Sequence, residues 1–245
     1  MNPLIMIPAR MAATRLPNKP LADIGGKPMI VRAWEQAMAS GFRVAVAAGD
    51  PEIVSAVTVA GGEVVLTDPD LPSGSDRILA AAQAVDPDGV HEVVINIQGD
   101  MPFASPGLAQ ACAELLARES ACDIATLVAA EADVSDRTNP DVVKAVLALP
   151  NGGTSGRALY FTRSTLYGDE PVWRHVGIYG YRREALARFC AAPPSPLEKR
   201  EKLEQLRALE MGLQIWASVI DEAPLSVDNP ADLQAARALA AVQAG

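Results

Sequence analysis

Arg10, Arg15 and Lys19 share one loop, and no acid precedes Asp23, although the 245-residue chain carries a formal net charge of −9. The loop follows Leu4-Ile5-Met6-Ile7, a short apolar run that Pro8 closes. Cations at this spacing suit a polyphosphate. Arginine forks match phosphate oxygens, lysine adds a compact charge, and loop N–H groups complete a cradle. The competing reading is an exposed basic loop with no ligand.

A second polar stretch, Asn96-Ile97-Gln98-Gly99-Asp100-Met101-Pro102, ends another apolar run. A carboxylate at a strand terminus beside a polyphosphate site is suited to magnesium, which takes oxygen ligands from one or two carboxylates plus phosphates and waters. Asp100 could equally close a turn. Ser73-Gly74-Ser75-Asp76-Arg77 marks a helix start, where hydroxyls and free N–H groups contact a nucleotide or simply cap the helix. His175 lies in a stretch with Tyr179, Tyr181 and Arg182, a mixture better suited to a polyhydroxylated acid than to packing alone. Glu204 and Gln205 fall in a charged helix that otherwise reads as a solvated face. Asp228 reads first as a helix cap, with Asn229 the other candidate ahead of Pro230.

Some chemistries are excluded. No G-x-G-x-x-G follows the first strand, and Gly26-Lys27 is followed by Pro28, so neither a dinucleotide fingerprint nor a Walker A loop is present. Cys112, Cys122 and Cys190 have no zinc or disulfide spacing. Aromatic residues make up 4% of the chain, too few for a single-strand stacking platform, and the acidic balance argues against nucleic acid and anionic membranes as partners. No run reaches the length of a membrane span and no signal-peptide pattern opens the chain, so a cytoplasmic protein is expected.

The elements that must position these residues alternate. Strands are predicted at Leu4–Ile7, Val44–Ala48, Glu63–Leu66 and Glu92–Ile97, and helices at Met29–Ser40, Glu52–Ala60, Asp76–Val85 and Ser105–Arg118. Continuous apolar strands separated by helices predict a parallel sheet covered on both faces, with ligands beyond the strands' carboxyl ends. Ile124–Ala130 and Val142–Leu147 read as further strands. After Pro150 the pattern becomes mixed. Ala158–Thr162, Val176–Tyr181 and Leu213–Val219 read as strands, and Arg183–Cys190, Leu197–Glu210 and Asn229–Val242 as helices. A single domain over 1–245 is expected, with about 151–215 forming a lobe.

Eight stretches, in order, carry a resemblance: IPARMAATRLPNKPL, SGSDR, NIQGD, NPDVVK, ALYFTR, HVGIYGYR, PSPLEKREKLEQLR and VDNPADL. Together the chain resembles the 3-deoxy-manno-octulosonate (Kdo) cytidylyltransferases. The resemblance implies a three-layer α/β/α fold of the nucleotide-diphospho-sugar transferase type, with a mostly parallel sheet and a smaller inserted mixed lobe. It implies transfer of CMP from CTP to the anomeric hydroxyl of Kdo, with release of pyrophosphate, for lipopolysaccharide biosynthesis. It also implies a magnesium-dependent homodimer. Carried over by motif, Arg10, Arg15 and Lys19 hold the triphosphate, and Ser73, Gly74, Ser75 and Gln98 line the nucleotide pocket. Asp100 and Asp228 are the magnesium ligands. Lys144, Arg163, His175, Tyr179, Glu204 and Gln205 serve the sugar acid. Two departures stand out. Met101 occupies a position where the family commonly has Glu, and the segment from Thr165 to Arg174 is short. The alternatives are a cytidylyltransferase for another acidic sugar, 8-amino or sialate-like, and a non-catalytic nucleotide-binding protein.

Overall fold

A computed structural model describes residues 1–12, 16–130, 134–168 and 171–244. Along the chain the elements are β1 (Leu4–Ala9), β2 (Asp23–Ile24), β3 (Lys27–Pro28), α1 (Met29–Met38), β4 (Arg43–Ala48), α2 (Pro51–Val59), β5 (Glu63–Leu66), α3 (Gly74–Val85), β6 (Val93–Asn96) and α4 (Pro106–Arg118). Then follow β7 (Ile124–Ala130), β8 (Lys144–Ala148), β9 (Ser155–Thr162), β10 (Trp173–Arg182), α5 (Arg183–Ala191), α6 (Pro196–Glu201), α7 (Gln205–Glu210), β11 (Ile215–Ile220) and α8 (Pro230–Ala244). These elements divide between two compact units. One is Asn2–Gln110 with Pro224–Gly245, and the other is mainly Ala111–Ala223.

In the first unit the strand order is β5-β4-β1-β6, all parallel, as the continuous apolar runs predict. Leu4, Ile5, Met6 and Ile7 are fully buried at its centre, and α1, α2 and α3 pack against its strands. A second apolar cluster joins the two ends of the chain. Ile24 and Met29 pack with Val227, Leu233, Ala236 and Ala240, which seats α8 against the loop after β1. The short β2–β3 hairpin, which the sequence pattern did not announce, turns through Gly25 and Gly26, both at positive φ.

The second unit holds a mixed sheet in the order β10-β7-β11-β9-β8. Only β7 and β11 run parallel; the other neighbours are antiparallel. β8 also pairs with β10 through Trp173↔Ala145 and Arg174↔Lys144, so the five-strand order closes on itself. β10 is longer than the predicted Val176–Tyr181 and carries a bulge, because its pairing with β7 steps from Val176↔Leu127 to Tyr179↔Thr126.

The predicted helix Leu197–Glu210 is two helices. α6 stops at Glu201, the next residue Lys202 takes the left-handed conformation at φ 56°, and Leu203 is buried in the break. The amphipathic period of the segment is real, but burying Leu203 and pairing Glu198 with Arg207 require the chain to fold back.

Gly156 shows how tightly β9 approaches β8. A Cβ there would lie 2.5 Å from the Ala148 carbonyl oxygen and 2.9 Å from the Leu149 Cα, both backbone atoms that cannot swing away. Gly156→Ala is therefore expected to lower the unfolding free energy by about 2 kcal/mol through overpacking. Urea denaturation of the purified variant measures it.

Candidate nucleotide cleft and sugar-acid face

The first unit carries a cleft of about 340 Å³ beyond the carboxyl ends of β1 and β6. Pro8, Arg10, Lys19, Ser73, Gly74, Gln98 and Asp100 all line it, so the structure gathers most of the predicted nucleotide residues at one place. Arg15 lies outside the described residues. Ser75 is buried in the first turn of α3 and is not a lining residue. Ser73 caps α3: its hydroxyl accepts from the Asp76 N–H and donates to the Asp76 carboxylate at 2.7 Å. Gln98 sits half-buried beside Asn96.

Lys19 is the centre of the cleft's electrostatics. Its Nζ donates to Asp100 at 2.8 Å and to Asp228 at 3.0 Å. A backbone bond from the Val227 N–H to the Asp100 carbonyl, 2.9 Å, holds the two acid-bearing segments together. Burial pushes the Asp100 carboxyl up, Lys19 draws it back, and Asp228 adds to the upward push; the result is raised. Burial alone would lower the Lys19 ammonium, but Asp100 and then Asp228 raise it above its ordinary value. Two carboxylates thus converge on one cation.

Asp228 is not the cap of α8. Asn229 takes that role: its side-chain oxygen accepts from the Ala231 and Asp232 N–H groups at 2.8 and 3.0 Å. Asp232 in turn accepts from the Asp228 and Asn229 N–H groups. With the cap supplied by its neighbour, the Asp228 carboxylate is left to face Lys19. Met101 is buried with the apolar side chains.

Three contributors escaped the sequence reading. Arg77 lines the cleft while 2% exposed. It donates to the Thr67 hydroxyl and to the Asp68 and Pro69 carbonyls, which fixes the loop between β5 and α3. Burial lowers its pKa, and nearby Arg10 lowers it further. Gly49 makes room for both: a Cβ there would stand 2.9 Å from the Arg77 guanidinium and 3.2 Å from the Arg10 Cβ. Asp50 anchors the basic loop by accepting the Met11 N–H at 2.7 Å. The SGSDR motif contained Arg77, but spacing alone does not distinguish a solvated arginine from one turned inward.

The second unit assembles the sugar-acid candidates. The bulge in β10 decides their geometry. His175 faces Val128 and Tyr179 faces Thr126, so residues four apart in β10 lie two apart along β7, on the same face. Their rings are 5.4 Å apart, and Phe161 and Tyr181 extend the row at 5.0 and 5.8 Å. Thr126 holds the bulge. Its single hydroxyl proton can go to the Val176 or Ile178 carbonyl, both within 3.2 Å. The same hydroxyl meets His175 Nε2 at 3.0 Å, donating or accepting according to the imidazole tautomer. Burial holds the His175 pKa down at about 4. Burial raises the Tyr179 phenol, and the Glu204 carboxylate raises it further.

Glu204 is half-buried at the start of α7, and Gln205 is buried beside it. Arg163 is at the surface, donating to the Pro140 carbonyl at 3.0 Å. Lys144 is fully buried. Its Nζ donates to the Asn139 and Arg163 carbonyls at 2.6 and 3.0 Å, so in this structure it ties two loops together and does not present a charge at the surface.

A parallel sheet with an Arg- and Lys-lined cleft beyond its carboxyl ends has the form of a nucleotide-binding α/β protein. Comparison with known proteins narrows this. The cytidylyltransferase family model matches residues 4–215. The 3-deoxy-manno-octulosonate cytidylyltransferase of Parvibaculum lavamentivorans is 59% identical over 239 residues, 97% of this chain and 92% of that one. Its namesake from Rhodospirillum centenum is 55% identical, over 97% and 93%. The solved structure of CMP:2-keto-3-deoxy-manno-octonic acid synthetase in complex with CTP superposes with a TM-score of 0.90 at 35% identity, covering 99% and 100% of the two chains. A nucleotidyl transferase from Methanothermobacter, 16% identical with a TM-score of 0.62, shares the fold alone. The chain belongs to the 3-deoxy-manno-octulosonate cytidylyltransferase family.

The histidine gives a pH prediction. Its folded pKa of about 4 lies below the usual 6.5, so the unfolded chain binds more protons between those values. The contribution is fully present above pH 6.5 and is lost as pH falls toward 4. Urea denaturation across this window is expected to show stability rising with pH, with a shallower rise in His175→Gln. Equal slopes would contradict the buried neutral ring.

Proposed function

We propose that the protein transfers CMP from CTP to the anomeric hydroxyl of Kdo, giving CMP-Kdo and pyrophosphate. The convergence of Lys19, Asp100 and Asp228 at a cleft lined by Arg10 carries the reading, because it provides the charges a triphosphate and its counter-ion need. The sugar oxygen forms a bond to the α-phosphorus as the bond from that phosphorus to the bridging oxygen of pyrophosphate breaks. The hydroxyl proton leaves to solvent or to a phosphate oxygen. Positioning and charge neutralisation carry such a transfer, so a dedicated nucleophile is not needed. Arg10 and Lys19 stabilise the charge that grows on the departing pyrophosphate. Arg77 and Ser73 keep the nucleotide-side wall in place through the loop after β5 and the cap of α3.

Magnesium fits this donor set. Two carboxylates already gather round a cation, and a magnesium ion takes its remaining ligands from phosphates and waters. Among the described residues no group of three or more His, Cys, Asp or Glu gathers as a metal cage, so phosphates and waters would have to supply the other ligands. Asp100 and Asp228 would hold the ion, which would neutralise phosphate charge and acidify the sugar hydroxyl. On the other unit, neutral His175 offers a ring nitrogen to a sugar hydroxyl, and Arg163 offers a cation for the sugar carboxylate. Gln205 and Glu204 accept or donate at the remaining hydroxyls. A homodimer working in the cytoplasm on the route to lipopolysaccharide completes the proposal, on the strength of the family resemblance. Among the described residues no helix is long and apolar enough to cross a membrane.

Pyrophosphate release tests the reading. Turnover is expected with CTP and Kdo, strongest for Kdo in a panel of keto-sugar acids, and abolished by EDTA. Asp100→Asn is expected to cut kcat by about a hundredfold or more while circular dichroism stays unchanged. Preference for a nine-carbon acid, or full activity in the variant, would overturn the sugar or metal assignment respectively.

Lys19 and a divalent ion compete for the same carboxylate oxygens. Lys19→Met is therefore expected to bind magnesium in the absence of nucleotide about tenfold more tightly than the parent, an ion pair's worth of competition. Calorimetry with the metal alone reads this directly, and weaker or equal binding would contradict it.

A further inference from the structure

Arg207 is 5% exposed, yet every N–H of its guanidinium has an acceptor. Nε and one Nη donate to the two oxygens of Glu198, each at 2.8 Å. The same Nη donates to Glu204 at 3.3 Å. The other Nη donates to the Phe189 and Ala192 carbonyls at 3.4 and 3.2 Å. The face of the guanidinium lies 4.5 Å from the Phe189 ring centre. Planarity, forked donors and a stacking face are properties that lysine lacks.

These contacts join three successive helices, α5, α6 and α7. Glu198 closes a capping box with Ser195 at the start of α6. Burial would raise its carboxyl, but the Arg207 and Ser195 bonds hold it below its ordinary value, so it stays charged. Phe189 and Ala192 mark the end of α5, and Glu204 begins α7. Phe189 in turn stacks on Tyr181 at 6.4 Å, which continues through Tyr179 to His175. One side chain thereby touches both the carboxylate and the end of the ring row that face the sugar acid in the reading above. On an unbroken helix Glu198 and Arg207 would stand roughly 13 Å apart along the axis, so the left-handed Lys202 exists to let them meet.

We propose that Arg207 is a positioning residue for sugar-acid recognition, setting Glu204 by direct ion pairing and the His175–Tyr179 row by stacking through Phe189. The inference rests on the Kdo-transfer reading. The nucleotide residues belong to the other compact unit, so the effect is confined to the sugar acid.

The test is steady-state kinetics of pyrophosphate release with CTP and Kdo. In Arg207→Lys, KM for Kdo is expected to rise about tenfold, the loss of roughly one charged hydrogen bond's worth of orientation, with KM for CTP within twofold of the parent. A purely structural role would instead lower the melting temperature and the active fraction, reducing kcat with both KM values unchanged. Glu198→Gln and Phe189→Leu keep the question open to refutation if Arg207→Lys does not fold, since each removes one arm of the arrangement. Both are expected to raise KM for Kdo less than Arg207→Lys does. Unchanged KM for Kdo in every folded variant, or an equal rise for CTP, overturns the inference. A parent enzyme that does not turn over Kdo overturns the underlying function instead.

Discussion

Two aspartates facing each other across a partly buried cleft require a cation between them. Lys19 supplies it here, and the requirement organises the first unit. Residues 19, 100 and 228 come from the loop after β1, the turn after β6 and the segment before α8. Like charges so placed repel unless neutralised, and desolvation sharpens the repulsion. The apolar cluster of Ile24, Met29, Val227 and Leu233 stabilises the same junction without directing it. The hydrophobic contact brings the chain ends together; the charges decide which side chains meet in the cleft.

The second unit solves a different problem with backbone irregularities. A regular strand would spread His175 and Tyr179 along the sheet. The bulge brings their rings side by side, and the Thr126 hydroxyl lies within hydrogen-bond reach of the Val176 and Ile178 carbonyls inside it. The break at Lys202 does comparable work in the helical segment, trading one long helix for an inward-turned Arg207. In both places the local departure is held by a side chain with every donor used.

Much of the frame was legible in the chain itself. The Val and Ile runs of β1, β4 and β6 have the continuous apolar character of a parallel sheet, and their helices begin and end at Pro and Gly punctuation. The acid-free loop around Arg10 and Lys19 and the Gln98-Gly99-Asp100 turn marked the cleft because polar residues at strand ends have few structural uses. The readings that needed revision share a cause. Asp228 and Asn229 are equally good caps by type, and only the directions of their side chains separate them. Lys144 has a place in a motif, and residue type alone does not show its burial or its two carbonyl partners. Leu197–Glu210 has a helical period that survives the break within it.

What the sequence by itself determined is the alternation of elements, the positions of the polar stretches and, through eight ordered motifs, the family. These follow from local periodicity and residue type, which neighbours in the chain largely dictate. What only the tertiary structure decided is which charges pair: Lys19 with two distant aspartates, Arg207 with Glu198 and Glu204, Arg77 with the loop after β5. Such pairings depend on how the chain folds back, between distant segments for Lys19 and across local breaks for Arg207 and Arg77, and on how deeply each group is removed from water, and neither quantity is carried by the residue's type or its spacing.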